Sequence, residues 1–430
     1  ATKLKPTLLP AQPEDYFHLK LINLMFMSFL HKCSSIQYYL LGDFMDKMYL
    51  KKFILSYNDI CKLLNEFCNN PKYEHRLKKE PTLCYSSFGY PLNSYNIGTG
   101  TKHVVILSNT HGCEIVTSLF VLEFILTIIL SDNLYYYFSK KYTFHFIPLL
   151  NPEGFIISSS QVYFNLKNLN NYEIEEISQK YLNAYNLDDK VALKNVKKEK
   201  LYKNILKTSC NLIDNTSMIK CVNNILINCN LDSRILPVWS ANGLGYDPNS
   251  NSLHKFCEMK FLRSKWKCSK LRYNDIPVTI PSPMSYPGSK PLDNCCPENV
   301  FLYKYLTNLY FNLPKCNSKL IAIFSYHSTG GEIYGYPDKC ISSKDNIKLH
   351  NLAMDTYSNE TGYIKIDEEL KYGVMDYYRA YFENVVSLTI ELSKLNGNPI
   401  GPFSNLNEIF NEFCSNKKAI LKTIESISKI

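Results

Sequence analysis

Between residues 102 and 150 the chain sets two apolar runs, KHVVILSN (102–109) and YTFHFIPLL (142–150), on either side of a longer one, IVTSLFVLEFILTIIL (115–130). A strand without polar alternation is buried on both faces, and that arrangement requires parallel neighbours covered by helices. The strand, helix, strand order therefore predicts an α/β fold, a mixed and mostly parallel twisted sheet in a three-layer α/β/α architecture. The central run is shorter than a membrane span and carries Glu123 in its middle. It reads as a core helix, so no transmembrane span is expected. At its far end the first strand runs into N-T-H-G-C-E (109–114), where His111 and Glu114 stand three apart. A buried strand needs only apolar side chains, so two metal-competent groups at its exit ask for a chemical reason.

The length of 430 residues fits one α/β core with insertions. We read residues 54–430 as a catalytic domain and 1–53 as an N-terminal helical extension. Within the extension LKLINLMFMSFL (19–30) has the length of a signal-peptide core, but Glu14 and Asp15 precede it and no clean small-residue cleavage site follows, so a buried amphipathic helix is the reading. From about residue 54, SYNDICKLLNEF is a helix capped by Ser56, and YNIGTGTKHVVILSN gives a hairpin-like pair of strands. NPEG is the turn after the second apolar strand. The polar, lysine-rich stretch from 165 to about 232 reads as a surface insertion, as does the irregular, Pro-rich 253–283. Beyond them follow a helix at 298–312, the strand KLIAIFSYHS (319–328), a helix near 345–359, the strand VVSLTIEL (385–392) and a closing amphipathic helix from Asn405.

The formal charge of +9 is scattered lysine, with only Arg76, Arg234, Arg263, Arg272 and Arg379 as guanidinium groups. Readers of phosphates and base edges lean on clustered arginine, so nucleic acid is not an expected partner. Fifteen cysteines, odd in number and without a C-x-x-C pair, exclude a zinc ribbon and a thioredoxin-like motif. The sequons at Asn215 and Asn359 would be glycan acceptors in a secreted chain, and a secretory-pathway location is the expectation over a cytoplasmic one. Nothing in the sequence speaks to oligomeric state.

Polar side chains stand at the ends of three apolar strands: His111 and Glu114 after KHVVILSN, His327 in AIFSYH, and Glu391 in SLTIE. Ligands of open α/β sheets bind outside the carboxyl ends of the strands, so these four are expected to converge. Two histidines and a glutamate leave zinc an open fourth position, the pattern of a catalytic site, with Glu391 as base.

Taken in order, H-G-C-E, L-L-N-P-E-G-F, G-Y-D-P-N-S-N, S-Y-H-S-T-G-G-E-I-Y and T-I-E-L resemble the zinc carboxypeptidase family over roughly residues 54 to 415. The fragments W-S-A-N-G-L-G-Y-D-P-N (239–249), S-Y-P-G-S-K-P-L (285–292) and S-Y-H-S-T-G-G-E-I-Y resemble most its γ-D-glutamyl-diaminopimelate peptidase branch. The resemblance implies His111, Glu114 and His327 as zinc ligands and Glu391 as general base and later acid. It implies Asp247 as the acid behind the first histidine, where a plain turn acid is the competing reading, and Asn249 as a substrate-carboxylate contact. Asp376 matches the acid beside the specificity pocket, and apolar Met375 would suit its wall. Tyr372 is the candidate for a tyrosine that closes over substrate, against a core or surface aromatic. Ser250 stands where the family has the arginine that grips the terminal carboxylate, and Ser240 where it has a second, oxyanion-stabilising one; Arg234 and Arg379 are the nearest replacements in sequence. The expectation is a zinc metallopeptidase acting on peptide or isopeptide bonds, such as glutamyl peptides. A catalytically weak or silent binding protein on the same fold is the alternative.

Overall fold

Ser56 begins the computed structural model's description of the chain, which covers residues 56–166, 215–231, 233–265, 278–367, 372–392 and 406–429. Its hydroxyl accepts from Asp59 N while the Asp59 carboxylate accepts from Ser56 N, a capping box that starts α1 (Tyr57–Asn69) where the sequence placed it. In chain order there follow β1 (Lys78–Lys79), β2 (Tyr95–Ile97), β3 (Lys102–Ser108), α2 (Ile115–Leu130), α3 (Asp132–Ser139), β4 (Tyr142–Ile147) and α4 (Pro152–Leu166). Next come α5 (Thr216–Asn228), a 3-10 turn (Ser233–Val238), α6 (Phe256–Lys265), α7 (Pro297–Asn312) and β5 (Lys319–Ser328). The chain closes with β6 (Glu332–Tyr334), α8 (Lys344–Thr361), β7 (Ile364–Ile366), α9 (Val374–Tyr381), β8 (Val386–Leu392) and α10 (Leu406–Ile427).

The described strands form one sheet in the order β1-β2-β4-β3-β5-β8-β6-β7. Its centre, β4-β3-β5-β8, is parallel throughout, and β2 and β6 attach antiparallel on either side. The hairpin expected over 95–109 is not formed: β2 pairs with β4, because both edges of β3 are taken by parallel partners. Helices cover both faces. On one, Phe124 of α2 meets Phe144 and Phe146, and Phe120 meets Tyr326 and Phe413 of α10. On the other, Val105, Leu107, Ile147 and Ile323 pack with Phe301, Leu302 and Leu306 of α7 and with Val374 and Tyr378 of α9. Each such side chain contributes about 1.5–3 kcal/mol of hydrophobic stabilisation, which is why α2 carries apolar residues on every side.

Glu123, the one charge in α2, is answered by Lys417 of α10 at 2.7 Å, both buried. No single described helix is long and apolar enough to cross a membrane. The NPEG segment differs from expectation, since α4 begins at its proline. The 165–232 insertion is described only at its ends, and 253–283 contains α6. The extension read at 1–53 lies outside the described residues.

Candidate metal centre

Asn109, the first residue past β3, takes a left-handed conformation (φ 58°) and turns the chain out of the sheet. Its Nδ2 donates to the carbonyls of His111 (3.0 Å) and Gly112 (3.1 Å), and its N donates to Thr117 Oγ1 (3.1 Å), tying the turn to the first turn of α2. Gly112 lies flat against Gly154: a Cβ on Gly112 would sit 2.2 Å from the Gly154 carbonyl carbon. Only glycine permits that approach. Asn151 locks the stack from beside it, donating to the carbonyls of Thr110, Ser240 and Ala241 and accepting from Gly154 N at 2.9 Å. H-G-C-E, N-P-E-G and W-S-A-N are therefore three walls of one backbone cradle.

The cradle presents His111 and Glu114 to His327, which lies at the end of β5 and is 1% exposed. His111 Nδ1 is 2.7 Å from Glu114 Oε1, His327 Nδ1 is 3.2 Å from Glu114 Oε2, and the two Nδ1 atoms are 3.3 Å apart. Among the described residues this is the one group of three metal-competent side chains whose ligand atoms all lie within 4.8 Å of one another. Glu114 Oε2 is buried without a hydrogen-bond partner despite the nearness of His327. Two imidazole nitrogens and both carboxylate oxygens aimed at one point, with an unsatisfied buried oxygen among them, fit a divalent cation of nitrogen and oxygen preference such as zinc.

The charges agree with that fit. Burial works against the positive form of His111, but Glu114 and Asp247 outweigh it and hold its pKa well above the ordinary value. Burial would likewise raise Glu114, but His111 and His327 outweigh it and lower its pKa. The site is thus a buried carboxylate facing an imidazole whose charged form it favours, and a metal ion would take the place of that proton.

Asp247 Oδ1 lies 3.4 Å from His111 Nε2 and also accepts from Asn249 N (2.9 Å) and Ser250 N (3.3 Å), so the acid both faces the histidine and caps the D-P-N turn. Glu391 of β8 sits beside His327 in the parallel register, so both side chains leave the same face of the sheet. Glu332 of β6 is opposite Glu391 on its other side.

The expected substrate contacts fare differently. Asn249 Oδ1 accepts from Val374 N (3.1 Å), joining the D-P-N turn to the start of α9. Asp376 pairs with Arg379 and accepts from Gly373 N, so its carboxylate is engaged within α9. Met375, expected to suit an uncharged pocket wall, is 2% exposed and belongs to the apolar cluster that also contains Val105 and Leu107. The Tyr372 hydroxyl is buried without a hydrogen-bond partner among the described residues, in the field of Glu258 and Lys255. Ser240 Oγ faces the Cys113 thiol at 3.4 Å, and Ser250 Oγ donates to Asp247. Arg379 is buried among Asp376, the Ser387 carbonyl and the Tyr334 carbonyl, and the side chain of Arg234 lies outside the described residues.

Reading the sequence missed Asn151, Glu153 and Asn242. Glu153 accepts from Phe88 N (2.6 Å) and Gly243 N (2.9 Å), and Asn242 Oδ1 accepts from Leu244 N and Tyr246 N, both at 3.0 Å. Their signal was position inside motifs that were already quoted. Asn242 also donates to Glu298 Oε2 (3.1 Å), and burial followed by repulsion from Glu153 pushes Glu298 up to about 8. A carboxyl whose folded pKa is raised contributes its stability below the unfolded value and loses it as pH climbs through the folded one. Glu298 should therefore make wild type lose stability, by about a few kcal/mol, as pH rises from about 4.5 to 8, and Glu298→Gln should flatten that slope. Urea unfolding at pH 5 and pH 8 reads it; parallel losses in both proteins would refute it.

Comparison with known proteins returns a family model described as zinc carboxypeptidase over residues 77–425. Among solved structures, thrombin activatable fibrinolysis inhibitor aligns with a TM-score of 0.53 and 15% identity, over 89% of this chain and 77% of that one. Carboxypeptidase A from Helicoverpa armigera aligns with a TM-score of 0.53 and 14% identity, over 96% of this chain and 81% of that one. These likenesses show a shared fold. No curated protein sequence matches.

Proposed function

The chain belongs to the zinc carboxypeptidase family, and from that premise we propose that His111, Glu114 and His327 hold its zinc and that Glu391 is the general base of a peptidase. The family makes the protein a metallocarboxypeptidase-like, zinc-dependent hydrolase. One observation carries the residue assignment: the two Nδ1 atoms and both Glu114 oxygens converge within bonding reach of a single ion. When bound, zinc acidifies water and polarises the scissile carbonyl. Asp247 Oδ1 faces His111 Nε2 at 3.4 Å, an arrangement that would leave Nδ1 as the ligating nitrogen and orient the ring. Glu391 takes the proton of the attacking water and later delivers it to the leaving amine.

The substrate is an amide whose leaving residue need not present an ordinary α-carboxylate at the first subsite. Isopeptides and γ-glutamyl peptides are of this kind, as the branch resemblance suggests. Two hydroxyls, Ser240 and Ser250, stand at the family's guanidinium positions and turn toward the cradle, and Arg379 is enclosed. A charge-assisted grip on a carboxylate is worth roughly 10- to 100-fold. Matched peptides with free and amidated C-termini should accordingly differ in kcat/KM by less than about 10-fold. A stronger preference for the free acid would show that another cation supplies the grip, and no turnover of any amide by the zinc-loaded protein would favour the silent binding protein.

A further inference from the structure

Ser250 occupies the position of a substrate-gripping arginine, yet it is 2% exposed and points inward. Its Oγ donates to Asp247 Oδ2, and its backbone N donates to Asp247 Oδ1 at 3.3 Å. Asn249 N donates to the same Oδ1 at 2.9 Å. Both oxygens of Asp247 are thereby held, with Oδ1 left facing His111 Nε2 at 3.4 Å. Without the Oδ2 donor the carboxylate keeps its two backbone donors on Oδ1 but loses the third contact that fixes its plane about a last torsion that is otherwise broad.

We propose that Ser250 is a positioning residue for the zinc centre: it braces Asp247, and through Asp247 the ring orientation and tautomer of His111, instead of contacting substrate. A hydroxyl donating to a carboxylate is a charge-assisted bond, strong enough to set a side-chain plane. The turn has a separate anchor, Asn249 Oδ1 on Val374 N, so losing the serine hydroxyl does not by itself release the backbone. The proposal rests on the reading of His111 as a zinc ligand.

The test compares wild type, Ser250→Ala and Ser250→Cys for zinc affinity by chelator competition, and for kcat and KM after zinc loading. Ser250→Ala should bind zinc more weakly by up to about 10-fold, less than the roughly 10- to 100-fold effect of losing the ligand's own partner. Its kcat should fall while KM moves by less than about twofold, because no substrate contact is lost. Ser250→Cys keeps the shape with a weaker donor and should fall between; it also carries the test if the alanine variant does not fold. Unchanged zinc affinity in either folded variant, with a raised KM, would make Ser250 a substrate contact and overturn the proposal. Wild type that binds no zinc would instead overturn the ligand assignment beneath it, a result seen before any variant is made.

Discussion

Glu391→Gln is expected to lose about 10²- to 10⁴-fold in kcat/KM, the range that a positioned general base contributes, while retaining a full zinc complement. The substitution keeps size and shape, and the strand around it is held independently. His327 flanks it in β5, Glu332 flanks it in β6, and Gly331 N donates to the Glu391 carbonyl at 2.9 Å. None of these contacts depends on the carboxylate charge. Lost turnover with the metal still bound is therefore a loss of chemistry and not of structure. Steady-state rates and metal content on the same preparation separate the two. Near-parental turnover in the glutamine variant would remove Glu391 from the base role.

His327→Ala should remove both zinc and activity. Partners behind a ligand are worth roughly 10- to 100-fold in affinity, so the ligand itself should exceed about 100-fold. Thermal unfolding provides a second reading, because a metal that binds only the folded chain stabilises it by about 4 kcal/mol at a thousand times its dissociation constant. Wild type should melt higher with zinc than after chelation, and the variant should show almost no difference. A variant that kept tight zinc binding and the same shift would place the metal elsewhere.

The metal group was legible because its chemistry restricts residue type. His111, Glu114 and His327 each follow or end an apolar strand, and the strand order of a parallel sheet brings such ends together. Ser240 and Ser250 were not legible beyond the absence of arginine. A hydroxyl can serve many partners, and which one it finds depends on how 239–250 folds back on the H-G-C-E turn. Met375 shows the same limit from the other side, since its neighbour Asp376 suggested a pocket, and only the rotation of α9 shows that the methionine faces the core. Among the elements, the long apolar strands and the capped α1 were plain from pattern. The start of α4 was not, because its residues 152–160 are all buried and offer no periodic polar face. The pairing of β2 escaped as well, because alternation identifies a strand without naming its partner.

The central claim is that one zinc ion sits between His111, Glu114 and His327. It is tested most directly by an anomalous-difference map collected on crystals of the purified protein on either side of the zinc absorption edge. The account predicts a single peak about 2.0–2.1 Å from both Nδ1 atoms, with Glu114 oxygens at similar range. A zinc peak bound by other side chains, or none at these histidines in zinc-loaded crystals, would contradict it.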